Sequence, residues 1–190
     1  MKAKAENVKF VLFVVAALWV VYGINLLINW VLRFNLNSLG ILPRTVKGLI
    51  GIVFSPFLHA NLYHLIGNTI PLLVLSILLV VFYEKIAPAV IGIVVLVGGG
   101  LVWLLARPSY HIGASGVVYG IAAFLIVYGF IKRNAVSIIL AVIVAFLYGG
   151  SMLSGLLPLR SYVSWESHLF SAAAGVLAAY SLRNQPDSDQ

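Results

Sequence analysis

The sequence predicts an all-α polytopic membrane protein with six transmembrane helices. Three observations carry that prediction. Of 190 residues, 62% are hydrophobic and 9% charged, where a soluble domain averages about 45–50% apolar and about 25% charged. The apolar residues run in continuous segments long enough to cross a bilayer, which takes about 20 residues in a helix. They do not alternate with polar ones, which argues against a transmembrane β-barrel. The formal net charge is +7, but the basic residues sit at segment ends, where they anchor spans. They therefore speak for a lipid bilayer as partner and not for nucleic acid. Cysteine is absent, so disulfides, zinc–thiolate sites and a thiol nucleophile are excluded.

The 190 residues read as a single membrane domain. Residues 1–7 form a short polar N-terminus, followed by a first span at 8–32. That span is too long for a cleaved signal peptide and has no small-residue cleavage site. A loop of mixed character, 33–57, has "ILPRTVKG" at its centre. The second span, 61–83, is closed by "EK"; the third, 86–106, has Pro88 near its start, where proline is tolerated. The loop "RPSYHIG" leads to a fourth span at 114–131, closed by "KRN", and a fifth at 135–153. The loop "SGLLPLRSYVSWE" leads to the sixth span, 167–182, and residues 183–190 are a polar tail. Six spans put both termini on one side. Lys2, Lys4, Lys9, Lys85, Lys132, Arg133 and Arg183 fall there, against Arg33, Arg44, Lys47, Arg107 and Arg160 opposite. Seven against five favours cytoplasmic termini.

Polar side chains inside such spans are costly and mark function. His64 and Asn68 in "HLIGN" are four apart and share a helix face. Ser115 opens the fourth span in "GASG", and His168 opens the sixth in "WESHLF". Topology alone brings all of these to a similar depth near the outer leaflet. A serine in this position is ordinarily an N-cap. With a neutral imidazole at hand it is also a nucleophile, and His168 is the candidate base. The Asn68 amide, the His64 ring and the Ser115 backbone N–H are candidate oxyanion donors. Gly116 and Gly120 on the fourth span, and Ser171 and Gly175 on the sixth, form two small-residue faces that let helices approach. Tyr119 lies one turn below Ser115, where its ring can lie against the imidazole.

These residues resemble those of the rhomboid intramembrane serine proteases. The likeness rests on "SPFLHANLYHLIGN", on "GASGVVYG", on the late histidine and on the six-span frame. It implies a rhomboid-like bundle in a prokaryotic cell membrane, with Ser115 as nucleophile and His168 as base, and with no carboxylate and no cofactor. It implies oxyanion binding by His64, Asn68 and the Ser115 N–H. Tyr119 would pack on the base, Gly113 and Gly116 would be motif glycines, and His59 would be structural. Substrates of the family are single-span membrane proteins, cut in the outer part of the span. The first loop is expected to lie partly in the outer leaflet, and the fifth span with its following loop to act as the gate. The chain departs from the family in two places. The region of a common Trp-Arg pair reads "LIGIVFSPF", and Ser171 stands where glycine is usual.

His111, in a loop, reads as a surface or gating residue. Glu166, two before His168, is a poor third member of a triad, since that spacing points it to another face. Trp19, Trp30, Trp103 and Trp165 read as interface anchors or packing groups. A transporter or channel with a polar intramembrane site is the competing reading, against which stand the lack of repeats and of buried acids. A metal site from His59, His64, His111 and His168 is a third, opposed by the five-residue spacing of the first two.

Overall fold

The computed structural model of the chain describes residues 2–157 and 163–186. Arg160 and the last four residues of the tail, 187–190, lie outside them. In chain order the helices are α1 (Lys2–Leu32), α2 (Val46–Phe54), α3 (Leu62–Phe82), α4 (Ala87–Ile93), α5 (Gly99–Leu105), α6 (Ser115–Lys132), α7 (Ala135–Gly155) and α8 (Trp165–Ser181). The helices α4 and α5 are joined through one π-helical turn, Val94–Gly98, into a continuous span, Ala87–Leu105. With α1, α3, α6 and α7 this makes five helices, among the described residues, long and apolar enough to cross a membrane. The sixth, α8, has 17 residues; at about 1.5 Å per residue it sits at the short end of the range that crosses hydrocarbon. The all-α, six-span expectation describes the molecule.

The span ends follow from local chemistry. Asn61 caps α3 by accepting from the His64 N–H at 2.9 Å. Asn134 caps α7 through the Ser137 N–H at 2.9 Å, and Ser164 caps α8 through the Ser167 N–H at 3.3 Å. Each cap satisfies a backbone donor that hydrocarbon would leave bare. Because Ser164 is the cap, the sixth span begins at Trp165, two residues before the predicted start. The polar N-terminus is helical as well: α1 starts at Lys2. Lys9 pairs with Glu6 one turn earlier, Asn7 donates to Glu84 at 3.0 Å, and Val8 packs against the core, so polar and apolar contacts together hold the first turns.

The first loop is more ordered than its mixed composition suggests. Thr45 caps α2 by accepting from Gly48 N–H at 3.0 Å. A Cβ on Gly48 would overlap the Leu42 backbone, and one on Gly51 the backbone of Gly40 and Ile41, so α2 lies directly on the strand-like segment before it. Trp103 donates its indole N–H to the Thr45 carbonyl at 2.8 Å. Arg44 reaches the Ala106 carbonyl at 2.9 Å. The loop is thus pinned to the end of the third span without a Trp-Arg pair.

The helix α6 forms the centre, with Ile121, Ala122, Phe124, Leu125 and Tyr128 all fully buried. It packs most closely on α8, then on α7 and α3, while α1 packs on α3. Water does not drive helices together inside lipid, so close packing must do it. The α6–α8 contact runs over small residues, as their spacing predicts. A Cβ on Gly175 would overlap the Gly120 carbonyl oxygen, and one on Gly116 would stand 2.8 Å from Ser167 Oγ and 2.9 Å from Ser171 Oγ. Ser171 also faces Gly98, whose Cβ would be 2.9 Å from the same hydroxyl oxygen. The serine that replaces the usual glycine is therefore accommodated by glycines opposite it. The π-helical turn falls on this seam, where Val94 lies against Gly120.

Candidate active site

Ser115 is the first helical residue of α6. It is not the cap. That position is Ala114, which makes no side-chain cap bond. The serine hydroxyl instead lies 2.9 Å from Nε2 of His168 on α8. The turn before it requires Gly113, whose φ is +110°. Space requires it too: a Cβ there would stand 2.6 Å from His64 Nε2 and 3.3 Å from Asn68 Nδ2. The two α3 side chains therefore face the turn that delivers Ser115. The chain is held there by the Gly113 N–H, which donates to the Ser55 carbonyl at 2.8 Å.

The ring of His168 is oriented at both ends. Its Nδ1 lies 2.8 Å from the Gly155 carbonyl oxygen at the end of α7. A carbonyl only accepts, so Nδ1 carries the proton, and in the neutral ring Nε2 is left as an acceptor. The hydroxyl of Ser115 then donates to Nε2, which is the arrangement a general base requires. Tyr119 fixes the ring plane, stacking on the imidazole with centroids 4.0 Å apart and planes 5° from parallel. The Tyr119 hydroxyl donates to the Ser151 carbonyl at 3.2 Å.

The amide nitrogen Nδ2 of Asn68 is buried without a hydrogen-bond partner among the described residues. An unmade bond of this kind costs about 1–3 kcal/mol, and the amide is free to donate to an acceptor brought to the Ser115 turn. As the first helical residue, Ser115 likewise offers a backbone N–H with no intrahelical partner. His59 is buried behind His64, the rings meeting edge to face at 5.1 Å. Its Nδ1 turns to the Phe57 carbonyl at 3.4 Å. Burial, and next the neighbouring His64, lower its pKa to about 4, against the raising effect of that carbonyl. It is a neutral packing group at neutral pH.

One reading of the sequence needs correction. His111 is not at the surface: it is 1% exposed. Its backbone bridges to Ile41 of the first loop, its Nδ1 meets the Ser164 hydroxyl, and its Nε2 lies 3.1 Å from the Arg107 carbonyl. Burial lowers its pKa. Glu166, although on α8 near His168, is turned to Arg107, whose Nε is 3.3 Å from Oε1. Arg107 in turn donates to the Val163 carbonyl at 2.6 Å. The loop 106–114 is thereby tied to the start of α8, which holds the two halves of the site in register. The four histidines do not converge: His111 and His168 have both ring nitrogens engaged elsewhere.

A family model, the Rhomboid domain, matches residues 46–185, the stretch that carries every residue of this site. The chain belongs to the rhomboid family. Uncharacterized proteins of Mycobacterium bovis and Mycobacterium tuberculosis are 42% identical to this rhomboid over 159 residues, covering 79% of it and 65% of their own length. An uncharacterized protein of Mycobacterium leprae is 41% identical over 165 residues, covering 82% of this chain and 65% of its own. The chain thus spans a little under two thirds of the length of these bacterial relatives. No solved structure matches it significantly. Membership makes this rhomboid an integral, multi-pass protein of an intramembrane protease family. The Gly155 carbonyl was not among the residues the sequence singles out. The available signal was the run "GGSMLSG" at the end of the fifth span, too poor in helix formers to be there for helix stability alone.

Proposed function

We propose that this rhomboid is a serine endopeptidase that cuts transmembrane segments of single-span membrane proteins, with Ser115 as nucleophile and His168 as general base. The observation that supports it most is the 2.9 Å contact from Ser115 Oγ to His168 Nε2, made by a ring whose other nitrogen is already committed. In the reaction, Nε2 takes the hydroxyl proton as Oγ attacks the scissile carbonyl carbon. The oxyanion is met by Asn68 Nδ2, the Ser115 N–H and His64, on the positive end of α6. Collapse breaks the C–N bond, and His168 gives its proton to the leaving amine. A water molecule, deprotonated by the same ring, then attacks the acyl-enzyme and frees Ser115. No carboxylate takes part, because the Gly155 carbonyl occupies the place where one would act, and the steps require no cofactor.

A helical carbonyl is already hydrogen-bonded. The substrate must therefore unwind locally, and segments with Gly, Pro or polar residues in the outer half of the span are favoured. We place both termini in the cytoplasm and the site toward the outer leaflet. Replacing Ser115 with Ala is expected to abolish cleavage of a single-span reporter in membranes while leaving the thermal stability unchanged. Full cleavage by that variant would end the proposal.

A further inference from the structure

The end of α7 is the weakest helical sequence in the site. Residues 149–155 read "GGSMLSG", with three glycines and two serines, none of which favours a helix interior. Both serines bond back to the preceding turn: Ser151 Oγ to the Tyr148 carbonyl and Ser154 Oγ to the Ser151 carbonyl, each at 2.8 Å. Such back-bonding competes with the helix ladder and bends helices. Gly149 and Gly150 face open space, where a Cβ would meet no atom within 4 Å. Yet this turn supplies two carbonyls to the site, Ser151 to the Tyr119 hydroxyl and Gly155 to the His168 ring. The last carbonyls of a helix lack intrahelical donors, so the Gly155 oxygen is free to accept. A helix C-terminus also favours a nearby cation, as the ring becomes when it takes a proton.

We propose that the last turn of α7 is a positioning element for the base: the Gly155 carbonyl holds His168 in the Nδ1–H form, so that Nε2 accepts from Ser115 only while that turn is wound. The proposal rests on the dyad reading above. It gives Gly155 two roles. Its carbonyl selects the tautomer, and its missing side chain makes room, since a Cβ there would overlap the Tyr119 hydroxyl and stand 3.2 Å from His168 Nδ1. Unwinding the turn would release both rings at once and leave Nε2 free to carry the proton, a form that cannot take one from Ser115.

The test is a nitrogen-15 spectrum of the histidine rings in the full chain in lipid bilayers, with the His168 signal identified by its loss in His168→Gln. The wild type is expected to show a protonated Nδ1 and a bare Nε2. In Gly155→Ala an Nε2–H form is expected to appear, and labelling of Ser115 by a fluorophosphonate to slow by about 10- to 100-fold. That is less than the roughly 10⁴-fold cost of a pinned wrong tautomer in a serine protease, because the ring is released and not locked. Should Gly155→Ala fail to fold, Ser154→Pro removes the backbone bond from residue 154 to the Gly150 carbonyl, unwinds that turn from an exposed position, and is read in the same way. A wild-type ring with Nε2–H, or a tautomer unmoved in whichever of these variants folds, would overturn the proposal. Intact reporter cleavage with an unmoved tautomer removes this inference alone. A tautomer that shifts as stated in a protein that cleaves nothing removes the protease reading and leaves the positioning role standing.

Discussion

Gly175 of α8 lies against the carbonyl of Gly120 of α6 so closely that a Cβ on Gly175 would overlap that oxygen. This contact lies two turns below His168 and a little over one turn below Ser115, and it sets the spacing of the two helices that carry them. Gly175→Val is expected to push α8 away from α6. Overpacking of this kind costs about 1–3 kcal/mol, and a displacement of about 1 Å at reacting groups costs about 100-fold in rate. Thermal unfolding in detergent and reporter cleavage measure the two effects. Wild-type values for both would mean that this contact does not set the dyad.

The orphaned amide of Asn68 predicts a trade of stability for rate. Asn68→Ala removes a buried donor that has no partner, so the variant is expected to be as stable as the wild type or more so. Under the proposed mechanism it also removes a donor to the oxyanion, which is worth about 2.7–4 kcal/mol of barrier. The expected result is a fall in kcat with KM little changed. A lower melting temperature together with unchanged kcat would show that the amide is a structural clasp.

Glu166 predicts the reverse. Its carboxylate is buried and paired with Arg107, but it does not touch His168. Glu166→Gln is expected to lower stability by about 1–3 kcal/mol, the cost of leaving a charge-paired buried group unmatched, with Arg107 partly solvated. Reporter cleavage below the melting temperature should stay within a few-fold of wild type. A loss as large as that of Ser115→Ala would make Glu166 part of the catalytic set.

Stability should fall as the medium is acidified through the histidine range. His59 is held neutral, with its pKa lowered to about 4 from the ordinary 6.5. Between these values the unfolded chain binds a proton that the folded chain refuses, so folding weakens as pH drops and the loss levels off below about pH 4. His111, also lowered by burial, adds a slope of the same sign. Melting temperatures are therefore expected to decline from pH 7 to pH 5 in wild type and to decline less in His59→Gln. Parallel slopes for the two proteins would show that His59 does not carry the linkage.

Much of the site is legible along the chain. Continuous apolar runs locate the spans, because hydrocarbon admits little else. The polar exceptions His64, Asn68, Ser115 and His168 stand out against that background, and the spacing of Gly116, Gly120, Ser171 and Gly175 marks the two faces that meet. The order within the 33–57 loop was less legible. Its α2 is fixed by contacts of Gly48 and Gly51 with a neighbouring backbone, which no periodicity records.

By itself the sequence determined that this is a six-span helical bundle with a few polar groups in its spans, since hydropathy and helical spacing are properties of neighbours in the chain. Tertiary structure alone decided that Ser115 faces His168 and does not cap its helix, that His111 is buried, and that Glu166 serves Arg107. It also decided the tautomer of His168. The partner that sets it is a main-chain oxygen, which every residue carries, so only its position in space distinguishes it.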